Sequence, residues 1–220
     1  MDSAISLTSL PTGRRPADAD RRARILEAAE RAFVRHGFHA TTMQHVADAA
    51  GMSAGNLYRY FPSKEAIVEG LCELDQAERA QAFAKLLADH REIMRALRDA
   101  LRQHVLAKPP EKARLLVEIW AEAGRNPRVA AMIAAIDAEV LAGLEQLIEA
   151  AKAAQAASPR LDPRFGAQFF LTFVAGIFKR IAIEDDFDPD AEMAMAVGVL
   201  KALLSGALSP DRAAPPALAP

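Results

Sequence analysis

Apolar residues recur along most of the chain at intervals of three and four positions, which is the spacing of an amphipathic α-helix. From about Asp20 to His36, this spacing puts the following residues on one stripe: Ile25, Leu26, Ala29, Phe33 and Val34. Gly37 then ends the pattern. We expect a helix here whose apolar stripe is covered by other parts of the chain.

Capping residues and prolines divide the remaining chain into further helices. Two short helices follow the first, one over about residues 41–50 with Thr41 as its N-cap and one over about 53–60 with Ser53 as its N-cap. Ser63 caps a helix of more than 25 residues that continues to about Asp89. Proline signals then separate helices near residues 91–107, 111–124, 128–156, 163–184 and 190–205. The predicted fold class is all-α, with about nine helices.

The composition agrees with a helical globular protein. Hydrophobic residues make up 51% of the 220 positions and aromatic residues only 6%, and β-branched runs bounded by turn residues are scarce. We predict a three-helix N-terminal domain over residues 18–65 and a larger helical bundle over 66–206. Residues 1–17 and 207–220 are rich in small residues and proline without apolar periodicity, so we expect them to lack fixed structure.

The net charge of −2 hides a difference between the two predicted domains. Residues 14–65 contain nine Lys and Arg against six Asp and Glu, so the remaining residues must carry −5 to give the total of −2. A basic head on an acidic body suggests that one end of the molecule contacts DNA. It does not suggest a protein that coats nucleic acid by bulk charge.

The single cysteine, Cys72, cannot form an intrachain disulfide, and no Cys/His cluster has the spacing of metal ligands. We therefore expect a cytoplasmic protein without metal or other cofactor. The N-terminus lacks a secretory signal pattern, and the longest uncharged apolar stretch, Phe165 to Phe178, is too short to cross a bilayer. We expect no membrane association.

The two short helices have the connection length of a helix-turn-helix unit. Ala47 lets the helices approach closely, Gly51 permits a positive φ in the turn, and the apolar residues Val46, Met52 and Leu57 can form a small core beneath them. An ordinary helix corner in another fold would show the same features. The chemistry of the second helix favours DNA binding, because its outward positions are polar, aromatic or small.

Those outward positions suit two kinds of DNA contact. Hydroxyl groups, a helix N-terminus and Lys64 suit phosphates, whereas Asn56 and Arg59 carry donors that can read base edges in the major groove. Arg21 and Arg22 could add an N-terminal arm. The complete set of predicted DNA-binding residues is Thr42, Ser53, Ala54, Gly55, Asn56, Tyr58, Arg59, Tyr60 and Lys64.

The segment from Arg24 to Leu71, RILEAAERAFVRHGFHATTMQHVADAAGMSAGNLYRYFPSKEAIVEGL, resembles the N-terminal domain of TetR-family regulators almost position by position. Its most specific positions are Gly37, Thr41-Thr42, Ala47-x-x-x-Gly51, Ser53-x-Gly55-x-Leu57-Tyr58-x-Tyr60-Phe61 and Ser63-Lys64-Glu65. These positions are jointly improbable by chance, although each alone is weak.

The resemblance implies phosphate contacts for Thr42, Ser53, Tyr58, Tyr60 and Lys64, and it turns residues 54–59 toward the DNA groove. Ala54 and Asn56 occupy variable positions of the family and bear on which operator is read. Tyr60 and Phe61 are equally compatible with a structural role, closing the head against the first helix.

The resemblance also implies a C-terminal domain that binds an inducer and dimerises through its last two helices. The helix near residues 163–184 has two apolar stripes and therefore needs cover on two sides. One face can serve the core of the protomer and the other a partner, as in a four-helix interface, although a purely intramolecular core remains the alternative. The predicted dimer residues are Phe165, Phe169, Phe173, Ile177, Met193, Val197, Leu200 and Leu204.

A ligand pocket is predicted among the middle helices of the body. Its candidate residues are Phe83, Met94, Leu97, Leu101, His104, Leu116, Trp120, Met132 and Phe170. Methionine and aromatic residues at helical spacing more often form ordinary core than ligand contacts, so both interpretations stand. The ligand should be a small molecule that is partly apolar.

These features predict a homodimeric regulator of double-stranded operator DNA, with repression relieved by the ligand as the default mechanism. Activation or corepression would use the same parts of the protein, with the opposite effect on transcription or on DNA binding. A rival hypothesis is an enzyme that the head localises on DNA. No glycine-rich phosphate loop, nucleophile elbow or HExxH motif supports it, so we expect no catalytic residues.

Overall fold

A computed structural model describes residues 16–88 and 93–208 of the chain. The described residues form nine α-helices and no strand, which confirms the all-α fold class. The helices are α1 (Pro16–His36), α2 (Met43–Ala49), α3 (Ala54–Tyr60), α4 (Lys64–Ala88), α5 (Ile93–Leu101), α6 (Pro110–Ala123), α7 (Pro127–Ala153), α8 (Pro163–Ile183) and α9 (Pro189–Leu204). A π-helical turn, Arg102–Leu106, continues α5.

Three of the predicted proline breaks, at residues 109–110, 126–127 and 188–189, are helix starts, whereas the break predicted at Ser158-Pro159 lies before α8, which begins at Pro163. The side chains of Asn126, Asp162 and Asp188 accept backbone hydrogen bonds at the starts of α7, α8 and α9. Proline is tolerated there because a backbone N–H in the first helical turn has no hydrogen-bond acceptor within the helix. Local chemistry therefore fixed these boundaries to within a few residues.

Two predicted boundaries need correction. Helix α1 begins at Pro16 rather than Asp20, so it includes the last two residues of the predicted arm 1–17; residues 1–15 and 209–220 lie outside the described part of the chain. Thr42, not Thr41, is the N-cap of α2. Thr41 is buried, and its hydroxyl donates to the carbonyl oxygen of Gly37 at 2.6 Å.

The core of the N-terminal head continues into the body. Residues of α1 to α4 form one apolar cluster, and Leu115 and Ile119 of α6 and Val129 of α7 belong to the same cluster. A boundary drawn after residue 65 therefore cuts through shared packing. Because the interior of a protein is close-packed, a displacement of α6 or α7 is felt by the head.

Helix α8 is the most apolar long helix of the described chain by the measure of membrane-spanning length. Its 21 residues include an 18-residue window of mean hydropathy 1.4, so by length and composition alone it could cross a membrane. Only 28% of that window is buried within the single chain. An apolar surface left this open is typical of an interaction site.

Candidate nucleic-acid interface

The turn between α2 and α3 has the geometry predicted from the sequence. Gly51 has φ +63°, in the left-handed region that favours glycine. Val46, Ala47 and Leu57 are fully buried beneath the two helices, and Met52 packs against the same cluster. The two helices are therefore fixed to each other by a continuous apolar contact.

Side-chain caps fix the starts of both helices. Thr42 accepts a hydrogen bond from the backbone N–H of His45, and the imidazole of His45 accepts one from the backbone N–H of Thr42. Ser53 caps α3 by accepting from the N–H of Asn56. Such caps satisfy backbone donors that have no partner in the first helical turn. Thr42 and Ser53 are themselves exposed, so their hydroxyls remain accessible to a phosphate.

Helix α3 presents one face to solvent. Tyr58 is 52% exposed, and Gly55 and Arg59 are exposed beside it. Ala54 and Asn56 are half-buried at its start. Leu57 is completely buried on the opposite face, so α3 cannot turn without opening the core. The exposed face combines a hydroxyl, a guanidinium and a position without a side chain, which suits the approach of a DNA backbone.

For Tyr60 and Phe61, the sequence left open whether each ring contacts DNA or supports the head. Phe61 is buried in the head core, with the guanidinium of Arg22 4.4 Å from its ring centroid. Its role is structural. Tyr60 is half-buried and packs against the same cluster. Arg22 also binds Glu73 of α4 at 3.1 Å, so it ties α1 to α4 instead of extending into an arm.

Lys64 has a role that the sequence did not predict. Its Nζ donates to the backbone carbonyl oxygens of Phe38 and His39, at 2.9 and 3.0 Å, and lies 4.9 Å from the centroid of the Phe38 ring. This side chain therefore holds the turn between α1 and α2. A phosphate contact by Lys64 stays a prediction. The amine is half-buried and already donates to two carbonyl oxygens.

The same turn is held from the other side by the body. The carboxylate of Glu118, on α6, accepts a hydrogen bond from the backbone N–H of Phe38. A Cβ added to Gly37 would lie 3.3 Å from both carboxylate oxygens, and Gly37 has φ +79°. Glu30 of α1 also binds Lys112 of α6, at 2.8 Å. Sequence reasoning missed Glu118 as a head contact, because a carboxylate on a helix normally indicates a solvated face.

Two pairs of side chains fix the start of α4 to the start of α7. Asn126 donates to Glu65 at 3.4 Å, and Arg128 makes a two-pronged contact with Glu69 at 2.9 and 2.7 Å. The hydrogen bond from Ser63 is the largest cause that lowers the pKa of Glu65, and the hydrogen bond from Arg128 is the largest that lowers the pKa of Glu69. Because their pKa values are lowered, ionised Glu65 and Glu69 stabilise the fold above the ordinary carboxyl pKa, and this stabilisation is lost as the pH falls through the lowered values.

The sequence also matches known proteins over both parts of the fold. Residues 25–71 match the model of bacterial regulatory proteins of the tetR family, and residues 97–205 match the C-terminal domain of BetI-type transcriptional repressors. The HTH-type transcriptional regulator UidR of Escherichia coli (strain K12) is 31% identical over 193 residues, covering 86% of this chain and 93% of UidR. This chain belongs to the TetR family. It is a DNA-binding transcriptional regulator, as the resemblance of its head implied.

Solved structures agree with this assignment. Salmonella enterica GusR matches with a TM-score of 0.65 at 27% identity, covering 84% of this chain and 95% of GusR. A regulator from Saccharomonospora viridis, solved in complex with choline, matches with a TM-score of 0.66 at 18% identity, covering 83% of this chain and 96% of that one. The second likeness shows the fold alone. The TetR fold therefore extends over nearly the whole described chain.

Within the described part of the chain, the predicted ligand residues are distributed over three apolar clusters and one cleft, and their role stays a prediction. Phe83, Met94, Leu97 and Phe170 belong to one apolar cluster or pack against it, whereas Leu101 lies in a second and Met132 packs against the head cluster. Trp120 contacts the edge of the Phe178 ring, with the centroids 6.2 Å apart. His104 alone of the nine lines the 430 Å³ cleft between α4 and α5, and Leu116 is half-buried.

The predicted dimer residues divide into two groups. Ile177, Met193, Leu200 and Leu204 are at most 6% exposed within one chain, so they serve the protomer core. Their part in a dimer face stays a prediction. The other four, Phe165, Phe169, Phe173 and Val197, are half-buried and keep part of their surface open. Burial could not be assigned from apolar periodicity alone, because both faces of these helices are apolar.

The positive φ of Gly51 leads to a test of the turn. No atom of the described residues lies within 4 Å of a Cβ built at this position, so backbone strain is the only expected cost of Gly51→Ala. We expect a loss of about 1 kcal/mol in the free energy of unfolding, with a smaller loss for Gly51→Asn. Urea denaturation measures both, and equal stability of wild type and Gly51→Ala would contradict the role of this turn.

Proposed function

We propose that the chain is a cytoplasmic homodimeric repressor that a small-molecule ligand releases from its operator. The DNA contacts would come from the nine residues predicted from the sequence, which span Thr42 to Lys64 and centre on the exposed face of α3. The observation that carries the proposal is the double hold on the turn between α1 and α2. Lys64 of α4 binds its carbonyl oxygens, and Glu118 of α6 binds its N–H.

This double hold supports a route from the body to the DNA-binding head. Helix α4 belongs to both regions, because its first turn fixes the head and its later residues line the body. Helix α6 reaches the head through Glu118 and Lys112. A ligand that changes the position of α4 relative to α6 would therefore change the orientation of α2 and α3. It must bind the released conformation more tightly than the DNA-bound one, because equal affinity for both would shift nothing.

Homodimerisation is proposed through the outer faces of α8 and α9. The two helices run antiparallel: the end of α8 shares a cluster with the start of α9, and the start of α8 shares another with the end of α9. Their outer faces carry small and apolar residues, including Gly176, Met195 and Gly198. Met195 is 44% exposed, and only 28% of the apolar window of α8 is buried. A second copy would cover this surface in an isologous contact with two-fold symmetry.

The proposal is tested with fluorescence anisotropy of labelled DNA from upstream of the gene that encodes this chain, against scrambled DNA of equal length. Binding to the upstream DNA should be tighter by about 10³ or more. The measurement is made at two salt concentrations, since phosphate contacts give a steep salt dependence. Equal affinity for both DNAs, and for pooled genomic fragments, would contradict an operator-specific regulator. A reporter gene placed behind the bound DNA separates repression from activation.

Removing the carboxylate of Glu118 tests the hold of α6 on the head. We expect Glu118→Ala to weaken operator binding by about tenfold, since a hydrogen bond to a charged group contributes about 1.5–3 kcal/mol. Hydrogen exchange of the Phe38 amide should also become faster. A role in general stability alone would lower the melting temperature and leave operator affinity of the folded protein unchanged. Glu111→Ala, at the exposed start of the same helix, is the matched control.

A further inference from the structure

A cleft of about 430 Å³ lies between α4 and the segment formed by α5 and its π-helical turn. Leu86, which is buried, and three alanines form its apolar part. Its polar lining consists of Gln81, Lys85, Arg95, Asp99, Gln103 and His104. This volume lies within the range of small-molecule sites in proteins. The combination of an apolar floor and polar walls suits a compact ligand that has one charged end.

The charges of the cleft favour an anion. Among the described residues of the lining, Lys85 and Arg95 are basic and Asp99 is the one acidic residue. Asp99 already lies 3.7 Å from Arg98, which is outside the lining. Within residues 16–88 and 93–208, the side chain of Lys85 makes no hydrogen bond or ion pair, and neither do those of Gln81, Gln103 and His104. An amine, two amides and an imidazole are therefore available to a ligand.

The two walls of the cleft connect to different parts of the protein. Helix α4 leads from Lys85 back to Lys64, which holds the head. The opposite wall includes Gln103 and His104 of the π-helical turn, where the N–H of Ala107 donates to the carbonyl oxygen of Arg102. Such turns occur frequently at functional sites.

The π-helical turn also touches the helices proposed to dimerise. Val105 packs in a cluster with Ile177 of α8 and Met193 of α9. The guanidinium of Arg102 lies 3.6 Å from the carboxylate of Asp190, at the start of α9. A molecule bound in the cleft would thus contact one wall that continues to the DNA-binding head and another that packs on α8 and α9.

We propose that this cleft is the effector site of the regulator, and that it binds a small organic anion with a short apolar part. The proposal rests on the proposed ligand control of DNA binding. The anionic group would lie at Lys85, with Gln81, Gln103 and His104 donating or accepting hydrogen bonds and the apolar part on Leu86. Drawing Lys85 toward α5 would displace the end of α4 relative to the head. This location differs from the interior pocket that the sequence suggested.

The test compares probes that differ in charge and little in shape. Indole-3-acetate and hexanoate are titrated into the full chain beside their neutral amides, indole-3-acetamide and hexanamide, with binding followed by saturation-transfer NMR and calorimetry. Each anion should bind at least about tenfold more tightly than its amide, because one favourable charge contact of about 1.4 kcal/mol gives that factor. Choline, the ligand of the Saccharomonospora viridis protein, should not compete with the anions.

Two charge-removing variants locate the site. Lys85→Gln should lower the affinity for both anions by about tenfold and leave the affinity for the amides unchanged. Arg160→Gln, at an exposed position before α8 and outside the lining, removes the same charge and should change neither. Equal binding of anions and amides, absence of binding by both anions at millimolar concentration, competition by choline or an equal effect of the two variants would each overturn the proposal.

Operator titrations of the same samples separate this inference from the proposed function. If the wild type binds its upstream DNA specifically but shows no preference for the anions, the cleft proposal fails and the regulator stands. If the anions bind in the cleft and change operator affinity, the proposal is supported. If the anions bind in the cleft but the chain shows no sequence-specific DNA binding, the proposed function fails, and the cleft is a binding site without the effector role assigned to it.

Discussion

A Tyr58→Ala variant should bind the operator about 10- to 100-fold more weakly than the wild type. Tyr58 is the most exposed large apolar side chain of the DNA-binding head, at 52%, and it stands on α3 next to exposed Arg59. Its hydroxyl would donate to a phosphate and its ring would cover the sugar-phosphate backbone, which together correspond to about 1–3 kcal/mol. Because phosphates carry no sequence information, affinity for scrambled DNA should fall by a similar factor. Anisotropy titrations with both DNAs measure the two losses.

Two further variants make this result interpretable. Tyr58→Phe keeps the ring and loses the hydroxyl, so it separates the hydrogen bond from the packing. Asn56→Ala removes a side chain that can read a base edge, and it should lower affinity for the operator more than affinity for scrambled DNA. The melting temperature of Tyr58→Ala should equal that of the wild type, since this side chain contributes little to the core. Unchanged operator affinity in Tyr58→Ala would refute the assignment of the α3 face to DNA.

The parts of the fold that the sequence predicted best are those set by local chemistry. Gly51 lies in the left-handed region, Ser53 caps α3, and the prolines at residues 110, 127, 163 and 189 begin helices. Each of these outcomes depends on a residue and its near neighbours in sequence. The N-cap of α2 was placed one residue too early, since Thr41 and Thr42 are chemically equivalent and only packing decides between them. Thr41 faces the core, which leaves the cap to Thr42.

The contacts between head and body could not be predicted in the same way. Glu118 lies 80 residues after Phe38, and its hydrogen bond to a backbone N–H leaves no pattern in sequence. Lys64 shows the same limitation from the opposite side: a basic residue near a DNA-binding helix suggests a phosphate, yet its amine binds two carbonyl oxygens. Long-range polar contacts depend on the tertiary arrangement, whereas caps and turns do not.

Apolar periodicity identified the helices of the body but not which face each side chain serves. Leu200 and Ile177 are each 1% exposed, whereas Phe169 and Val197, on the same two helices, keep open surface. A stripe of apolar residues requires cover, and it does not say whether the cover is the same chain or a second copy. The ligand site shows the complementary limitation. Its proposed residues are mostly polar and lie on exposed helix faces, and the sequence suggested only His104 among them as a ligand contact.

A Gly198→Arg variant should convert the proposed dimer into a monomer and lower operator affinity by about 10²- to 10⁴-fold. Gly198 lies on the outer face of α9, and within the described part of the chain no atom is within 4 Å of a Cβ built there. Two arginines would meet, one from each copy, where the proposed interface brings α9 close to its partner. Loss of one of two linked half-site contacts removes the gain of bivalent binding, which is of this size.

This substitution should not destabilise the protomer, so a loss of the dimer can be assigned to the interface. Arginine favours a helix interior by up to about 1 kcal/mol over glycine, so the isolated chain should fold at least as well as the wild type. Ala142→Arg, on an exposed position of α7, adds the same charge elsewhere and should leave both assembly and DNA binding unchanged. Sedimentation velocity and the operator titration are read on the same samples. A Gly198→Arg protein that remains dimeric would place the subunit contact outside the α9 face, whereas a monomer with wild-type operator affinity would show that two linked heads are not needed for binding.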